Sequence, residues 1–460
     1  MQPADFKNKK VLIMGLGLHG GGGGAAEFFA KLGSRVTVTD LKSRRELAPS
    51  LARIKRWKNI AYHLGSHRAK DFQTHDYVIK NPGVPDNSRF LKVAKRARVP
   101  VLSDVEIFFL ASPAPIIGIT GTKGKSTATW LLGEFLKHGL RRRIWVGGNI
   151  RCSALEFLPR VQKGDWVVLE LSSFQLDSLK SSRRSPQIAV ITNIFPDHFN
   201  RYPSMRSYIA SKAGIFKYQR PTDSLFISSR DKLLNRLSQH ARSRVVRFDP
   251  QKTTKPFLKS LSAVIPPYHV PNIAAAIAVA RHVGVGESAI RKVLSRFRGI
   301  PGRMELVRNV RGIEFINDTT ATNPTAAEEA VKAVKRRIGT HGLFVIAGGY
   351  DKGLPVRDFA RALRRHTATI VFLPGGASEK MKSQIPKSKF QTNLKFKIPK
   401  LFNAKSMPQA VRIAYREAKS GDVVLLSPGA ASFGLFQHEF DRGDQFVRAV
   451  ELLSPAKSRI

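Results

Sequence analysis

The sequence predicts an α/β protein with three domains, each built on a mainly parallel sheet flanked by helices. Short apolar runs typical of buried strands alternate with helical patterns along the chain, and this order is typical of parallel sheets covered by helices on both faces. The length of 460 residues corresponds to roughly three domains of ~150 residues each. Two breaks rich in proline and glycine, at 111–115 and 299–302, divide the chain accordingly.

These breaks define the expected domains. We predict a Rossmann-like N-terminal domain over residues 1–113, a central domain of the P-loop type over 114–300, and a Rossmann-like C-terminal domain over 301–460. The strands expected in them are, in chain order, Lys10–Met14, Arg35–Thr39, Tyr77–Ile79, Pro115–Thr120, Ile144–Gly147, Trp166–Leu171, Ile188–Thr192, Glu314–Ile316, Leu343–Ala347, Thr369–Leu373 and Val423–Leu426.

The composition excludes several classes of protein. No apolar run reaches the ~18 residues that a transmembrane helix needs, and the first residues lack the charged and then apolar layout of a signal peptide. Cys152 is the only cysteine, so neither an intrachain disulfide nor a cysteine metal cluster can form. We therefore expect a reducing cytoplasmic location and no membrane partner.

The charge balance is unusual for a globular protein. Lys and Arg number 78 against 33 Asp and Glu, and the formal net charge of +45 attracts anionic partners. The basic residues are scattered, and neither an aromatic-interleaved basic stripe nor a recognised nucleic-acid motif accompanies them. We interpret them as solvated surface and expect no nucleic-acid partner. A basic nucleic-acid-binding ATPase stays an alternative.

A glycine-rich loop follows the predicted strand Pro115–Thr120 and leads into a helix. Glycines let a backbone wrap around an anion, and a helix N-terminus points its free N–H groups at it. In such a loop Lys125 pairs with the β- and γ-phosphates, and the Ser126 hydroxyl binds Mg²⁺. The spacing departs from the strict Walker pattern, since Ile119 stands where the first glycine would be. We predict a nucleotide-binding loop made of Gly121, Thr122, Lys123, Gly124, Lys125, Ser126 and Thr127.

An earlier glycine loop, Gly15-Leu16-Gly17-Leu18-His19-Gly20, follows the first predicted strand. Asp40 closes the second strand about 20 residues later, where a ribose contact would lie. The pattern alone is typical of NAD binding, and a nicotinamide-dependent dehydrogenase is therefore an alternative. That alternative leaves the second glycine loop unexplained. A nucleotide diphosphate sugar would satisfy both the loop and Asp40 equally well.

A carboxylate and an imidazole follow two of the central strands. Glu170 lies at the end of Trp166–Leu171, and His198 follows Ile188–Thr192. The carboxyl ends of parallel strands share one edge of a sheet, where α/β sites form. Together with the Ser126 hydroxyl, these groups could hold divalent ions beside the phosphates. From spacing alone, His198 is equally well explained as a structural residue.

Several motifs, in the order in which they occur, resemble those of the Mur ligases. The resemblance spans essentially the whole chain and is strongest for the members of the family that add D-glutamate. Any one of these motifs could arise by chance, but the set is specific. The motifs are Gly121–Thr127, Gly147–Ile150, Glu170–Leu176, Asp197-His198 with Arg201-Tyr202, Asn317-Asp318 with Ala321–Pro324, Gly348–Gly353 and Leu426–Phe433.

The resemblance implies an ATP-dependent carboxylate–amine ligase that uses Mg²⁺ and acts as a monomer. Such an enzyme adds D-glutamate to UDP-N-acetylmuramoyl-L-alanine, a peptidoglycan precursor, through an acyl phosphate. The implied catalytic residues are Lys125, Glu170, His198 and Lys212. Lys212 matches the lysine that is carbamylated in the family, and a carbamate turns this cation into an anion able to bridge Mg²⁺.

The resemblance also implies which residues bind each ligand. The metal ligands would be Ser126, Glu170, His198 and Lys212. ATP would contact the phosphate loop together with His269, Asn272, Arg303 and Asp318. The substrate residues would be Leu18, His19, Asp40, Asn81, Pro82 and Gly83 for the uridine diphosphate, and Thr322, Lys352 and Ser432 for D-glutamate. Asn149, Ser173 and Phe433 would also contact substrate.

The chain departs from the family pattern at several positions. A lysine of the family is replaced by Thr320, and a histidine by Gly302. An aromatic position aligns with Glu439, with Phe440 one place later. The list is completed by His19 in place of a small hydroxyl residue and by Tyr268-His269 in place of a His-Asn pair. These departures keep open a Mur-like ligase with a different amino acid.

Overall fold

The computed structural model describes residues 2–18, 21–148, 153–199, 201–260, 270–297, 299–385 and 398–453. These residues form two compact units, one ending at Arg296 and one beginning at Phe297. The first unit contains two sheets and the second contains one. The predicted class, three mainly parallel sheets flanked by helices, is confirmed, while the domain boundaries at 113 and 300 stay predictions.

The first sheet has the strand order β3-β2-β1-β4-β5, and all of its pairs are parallel. Both strands that pair with β1 come later in the chain, so the connections between these parallel strands cross over the sheet and contain helices. The strands are β1 Lys10–Met14, β2 Arg35–Asp40, β3 Ile60–Leu64, β4 Tyr77–Lys80 and β5 Val101–Leu102. The helices are α1 Gly21–Lys31, α2 Ala48–Ile54, α3 Asp71–Thr74, α4 Arg89–Arg96 and α5 Asp104–Ala111.

The second sheet has the order β11-β10-β9-β6-β8-β7, again with parallel pairs only. Its central strand, β6, is fully buried. The strands are β6 Ile116–Thr120, β7 Ile144–Gly148, β8 Trp166–Glu170, β9 Ile188–Ile191, β10 Ser224–Ser228 and β11 Arg244–Phe248. The helices are α6 Lys125–Gly139, α7 Ser173–Ser182, α8 Met205–Lys217, α9 Lys232–Leu237, α10 Pro250–Thr254, α11 Val270–His282 and α12 Glu287–Arg296.

The third sheet forms the second unit and has the order β12-β13-β17-β14-β15-β16. Only β12 runs antiparallel to its neighbour. The strands are β12 Glu305–Val310, β13 Ile313–Asn317, β14 Leu343–Ala347, β15 Thr369–Phe372, β16 Lys400–Asn403 and β17 Val423–Leu426. The helices are α13 Pro324–Ile338, α14 Arg357–His366, α15 Gly376–Ser383, α16 Met407–Glu417 and α17 Glu439–Glu451.

Every strand predicted from the sequence is present, and no strand end differs from its predicted position by more than one residue. The strands that were missed are β3, β5, β10, β11, β12 and β16, and all except β10 lie at the edge of a sheet. Edge strands such as β11 and β16 are partly exposed, so their apolar pattern is interrupted. Within the described part of the chain, no helix combines the length and the apolar character needed to span a bilayer.

Candidate active site

The phosphate loop connects β6 to α6 and is closely surrounded by other residues. Gly121 and Gly124 both have positive φ, +152° and +82°. A Cβ atom at Gly121 would lie 1.9 Å from the Thr192 hydroxyl oxygen, and one at Gly124 would lie 2.0 Å from Asn272 Oδ1. Only glycine therefore fits at either position. The helix begins directly after Gly124, so its first N–H groups adjoin the loop.

Two residues that follow β9 hold this loop, and the sequence analysis did not assign them. The Thr122 amide donates to the Asn193 carbonyl at 2.9 Å, and the Lys123 amide donates to Asn193 Oδ1 at 2.9 Å. Thr192 Oγ1 donates to the Lys123 carbonyl at 2.7 Å. These bonds fix the path of the loop before any ligand binds.

Two lysine ammonium groups face the same carbonyl of the loop. Lys125 Nζ donates to the carbonyls of Gly121 at 3.0 Å and Thr122 at 3.1 Å. Lys212, on α8, donates to the Gly121 carbonyl at 2.8 Å and is only 1% exposed. Burial, together with the neighbouring charge of Lys125, lowers the pKa of Lys212 to about 7. The structure thus brings together two of the predicted catalytic residues.

Ser126 and Glu170 form the oxygen-rich part of the site. Ser126 Oγ donates to Glu170 Oε2 at 2.6 Å, and both side chains are buried. Glu170 reaches this place because the strand that it ends pairs with β6 in the register Ile119–Glu170. Hydroxyl and carboxylate oxygens are ligands that Mg²⁺ takes, usually beside waters and substrate phosphates. Among the described residues, no three His, Cys, Asp or Glu side chains gather as a ligand set.

His198 lies beside the aromatic wall of the site in a left-handed backbone conformation, with φ +58°. Its ring centroid is 5.2 Å from that of Phe174 and 6.0 Å from that of Tyr208. Burial lowers the pKa of His198; Asp197 opposes this shift, and the nearby lysines, Lys212 first, add to it. A neutral imidazole keeps the lone pair that a metal ligand needs.

Asn272 lies on α11 against the phosphate loop. The side chain is 4% exposed, and its buried Oδ1 has no hydrogen-bond partner among the residues that the structure describes. Buried oxygens are normally paired, so a ligand that brings an N–H or O–H donor to this point would fit. This observation agrees with the predicted role of Asn272 in ATP binding. His269 lies outside the described residues.

The first glycine loop is held by Asp40, a residue predicted to contact ribose. Asp40 Oδ2 accepts from the amides of Leu16 at 2.8 Å and Gly17 at 3.1 Å. The carboxylate therefore shapes the loop, and its contact with a ligand stays a prediction. Asn81 lies next to the loop, 3.1 Å from where a Gly15 Cβ would be, and its Oδ1 accepts from the Gly83 amide at 3.0 Å. One loop cluster thus contains Asp40, Asn81, Pro82 and Gly83, and Leu18 packs on the hydrophobic core beside it. His19 and Asn149 lie outside the described residues.

Arg201 connects this loop cluster to the second sheet. Its guanidinium donates to the carbonyls of Gly83 at 3.4 Å and Val84 at 3.3 Å, and it lies 4.3 Å from the centroid of the Phe174 ring. Next to Phe174, the carbonyl of Ser173 accepts from Ser211 Oγ at 2.9 Å. This bond fixes the backbone at Ser173, and the contact of Ser173 with substrate stays a prediction.

In the second unit, Asp318 lies at the end of β13. Its carboxylate accepts from the Met304 amide at 3.3 Å and from Ser427 Oγ at 3.2 Å. Burial raises the pKa of Asp318 to about 7, although the charge of Arg303 opposes the shift. The two residues predicted to reach ATP from this unit, Arg303 and Asp318, are thus close neighbours.

Two of the residues predicted to hold D-glutamate, Thr322 and Lys352, line one pocket of the second unit. Tyr350 forms its wall and donates its amide to the Ala431 carbonyl at 3.0 Å, which places the buried Ser432 next to the pocket. The Phe433 ring stands edge-on to Tyr350, 5.7 Å between centroids. The pocket is lined by Thr322, Pro324, Tyr350, Asp351, Lys352, Leu354, Val356, Ala377, Gly429 and Ala430. Thr322 and Lys352 are therefore brought together as expected.

Two of the positions that depart from the Mur pattern contact each other. The amide and the hydroxyl of Thr320 both donate to the Gly302 carbonyl, at 3.1 and 3.0 Å. A third, Glu439, begins α17, and its carbonyl accepts from Thr319 Oγ1 at 2.7 Å. All three departures therefore take part in holding the loop that follows β13.

Comparison with protein families covers nearly all of this architecture. Residues 9–103 match the Mur ligase MurD-like N-terminal domain, residues 119–280 match the Mur ligase middle domain, and residues 302–429 match the Mur ligase glutamate ligase domain. The chain belongs to the Mur ligase family. The phosphate loop, Glu170 and His198 all fall within the middle domain of this family.

Two relatives and one solved structure show how close this Mur ligase is to others. It is 37% identical to a UDP-N-acetylmuramoylalanine–D-glutamate ligase of Roseiflexus sp. (strain RS-1), over 96% of this chain and 98% of that protein. It is 35% identical to the ligase of the same name from Borreliella afzelii (strain PKo), over 98% of this chain and 100% of the relative. The crystal structure of the UDP-N-acetylmuramate-alanine ligase MurC from Thermotoga maritima has the same fold, with a TM-score of 0.61 at 20% identity over 96% and 99% of the two chains.

Proposed function

We propose that this Mur ligase uses ATP to join D-glutamate to UDP-N-acetylmuramoyl-L-alanine, a step in the synthesis of peptidoglycan precursors. The observation that carries the proposal is the Ser126–Glu170 hydrogen bond beside Lys125 at the phosphate loop. The names of the relatives at 35–37% identity support the choice of both substrates. The cytoplasmic location and the monomeric state stay predictions.

The proposed reaction begins at the phosphate loop. The loop amides and Lys125 bind the ATP phosphates and neutralise the charge that develops as the γ-phosphoryl group moves to the carboxylate of the alanyl group. ADP and an acyl phosphate form. The D-glutamate amine then attacks the acyl carbon, an amide bond forms, and phosphate leaves while the amine loses a proton. Asn272, Arg303 and Asp318 are proposed to contact ATP.

The amino acid and the sugar nucleotide are proposed to occupy separate places. Thr322, Lys352, Ser432 and Phe433 would bind D-glutamate, with the Lys352 ammonium attracting a carboxylate. The loop cluster around Asp40 and Asn81 would bind uridine diphosphate. Leu18, His19, Asn149 and Ser173 complete the proposed substrate contacts.

A divalent ion would be held by Ser126, Glu170 and His198, and by Lys212 if it is carbamylated. Bound Mg²⁺ would supply charge neutralisation to the phosphates. The lowered pKa of Lys212 supports this assignment, because at neutral pH part of the amine is unprotonated and free to combine with carbon dioxide. Removal of divalent ions with a chelator should abolish turnover, and Mg²⁺ should restore it.

A coupled assay of phosphate release tests the proposal. We expect release that requires ATP, UDP-N-acetylmuramoyl-L-alanine and D-glutamate together. Release with L-lysine or diaminopimelate in place of D-glutamate would establish a Mur-like ligase with a different amino acid. This alternative stays open because Thr320 and Gly302, which are hydrogen-bonded to each other, both depart from the family pattern. Release that requires RNA or DNA and neither substrate would establish the basic ATPase instead.

A further inference from the structure

Arg442 is a fully buried arginine of the second unit, with 0% of its surface exposed. It lies on α17 and uses all three guanidinium nitrogens. Nε donates to Thr319 Oγ1 at 3.1 Å, Nη2 donates to the Thr319 carbonyl at 2.8 Å, and Nη1 donates to the Ala430 carbonyl at 3.0 Å. One planar group thus connects two loops that are more than a hundred residues apart in the chain.

Both of these loops belong to the proposed D-glutamate site. Thr319 precedes Thr322 by three residues, and Ala430 precedes Ser432 by two. Thr322 and Ala430 line the same pocket. The guanidinium therefore connects the two loops that carry these pocket residues, and Arg442 itself does not line the pocket.

The loop that carries Thr319 is also packed tightly on α17. A Cβ atom at Gly443 would lie 2.7 Å from Thr319 Cγ2, so the helix can approach the loop this closely only with glycine at 443. Thr319 Oγ1 donates to the Glu439 carbonyl at 2.7 Å. The position of the loop is thus set by the helix at two successive turns.

Stability alone gives little reason for a charge at this place. Removing an ion from water costs several kcal/mol, and apolar groups of similar volume often stabilise a core as well as buried charges do. Burial lowers the pKa of Arg442 only to about 10, and Glu439 opposes the shift, so the group stays a cation at neutral pH. An apolar side chain, however, could not make the three directed hydrogen bonds by which Arg442 connects the two loops.

We propose that Arg442 is a positioning residue for the amino-acid substrate: it sets the separation of the loops that carry Thr322 and Ser432. This role of Arg442 rests on the proposed function in one respect only, namely that the amino acid is D-glutamate. Displacing such loops by ~1 Å can cost a large factor in substrate use. The effect should fall on the amino acid and spare ATP and the sugar nucleotide.

The test compares Arg442→Lys with the wild-type enzyme in steady-state assays that vary each substrate in turn. Lysine keeps the charge, but its single nitrogen cannot span both loops. We expect the KM for D-glutamate to rise ~10-fold or more and the KM values for ATP and UDP-N-acetylmuramoyl-L-alanine to stay within about twofold. An unchanged KM for D-glutamate in the folded variant, or an equal rise for all three substrates, would overturn the proposal.

Two further variants cover the remaining outcomes. Phe446→Leu, a core substitution on the same helix, should lower Tm without changing the KM for D-glutamate; an equal rise there would assign the effect to general destabilisation. If Arg442→Lys does not fold, Thr319→Val keeps the shape but removes the hydroxyl that accepts from Arg442 Nε and donates to the Glu439 carbonyl, and we expect a ~3-fold rise in the same KM. No change in Thr319→Val would refute the positioning role.

The wild-type assay separates this proposal from the proposed function. If the wild-type enzyme uses another amino acid, D-glutamate ligation fails as the function. The Arg442 proposal is then decided by the KM for the amino acid that is used, with the same variants and the same expected changes.

Discussion

The phosphate loop of the first unit and the amino-acid loops of the second are each held by a buried cation, but the two cations differ. Among the described residues, Lys212 makes one hydrogen bond, to the Gly121 carbonyl, and its pKa falls to about 7. Arg442 makes three bonds to two loops, and its pKa falls only to about 10. The lysine can lose its proton near neutral pH and react, whereas the arginine stays charged. A buried cation can thus serve as a chemical group or as a fixed connector, depending on whether it can lose its proton near neutral pH.

The largest effect is expected at Lys125, which lies beside Lys212 in the first unit. Lys125→Ala removes the charge that would neutralise the phosphates, and kcat should fall ~10³-fold or more in the phosphate-release assay. Circular dichroism should show an unchanged fold. Lys137→Ala is the matched control, because Lys137 lies on the same helix, is exposed and pairs with Glu134. A kcat for Lys125→Ala within tenfold of wild type would remove this lysine from the mechanism.

Lys212→Arg tests the comparison directly. Arginine keeps a positive charge that can donate to the Gly121 carbonyl, but it does not lose its proton and cannot become a carbamate. If Lys212 is a chemical group, kcat should fall ~10²-fold, as expected for loss of a metal ligand. The measurement is kcat at saturating Mg²⁺. Retained activity would instead make Lys212 a connector of the same kind as Arg442.

Lys352→Gln tests direct binding of D-glutamate at the pocket whose loops Arg442 connects. Losing the ammonium should raise the KM for D-glutamate ~10-fold, since a charge-assisted bond contributes about 1.5 kcal/mol or more. The KM for ATP should not change. Lys382→Gln, a lysine on α15 that pairs with Glu379, serves as the control. Equal effects of the two substitutions would point to loss of net charge rather than to a binding site.

The smallest effect is expected at Asp318 and concerns stability. Its folded-state pKa is raised from 3.8 to about 7, so the folded protein holds a proton that the unfolded chain releases between these values. Stability is therefore lost as pH rises across this window. Asparagine at 318 does not titrate, so Asp318→Asn removes this loss of stability. The Tm of the variant minus that of the wild type should therefore increase by roughly 5 °C from pH 5 to pH 8. A constant difference in calorimetric Tm across this range would show that Asp318 is ionised in the fold.

The phosphate loop could be predicted from the sequence because strand, loop and helix are contiguous. Glu170 and His198 could be placed at the same edge because parallel strands end there. The bonds that hold the loop could not be predicted, since Asn193 acts on Lys123 from 70 residues away. Hydrophobic patterns show which strands are buried, but they do not show which polar side chain meets a loop carbonyl.

Arg442 illustrates the same limit more strongly. In the sequence it is one arginine among many, in a helix near the end of the chain, and its partner Thr319 is 123 residues away. Similarly, Thr320 and Gly302 each read as a separate departure from the family pattern, although the two residues are hydrogen-bonded. The edge strands other than β7 were missed for a related reason, because their exposed side carries polar residues that break the apolar pattern.

The left-handed backbone of His198 has a consequence for protein engineering. A residue other than glycine in this conformation costs on the order of 1 kcal/mol, although histidine tolerates it better than most residues. Glycine at 198 would relieve that cost and remove the imidazole in the same step. A library selected only for a higher melting temperature would therefore favour variants without this imidazole, so stability and activity compete at this single residue.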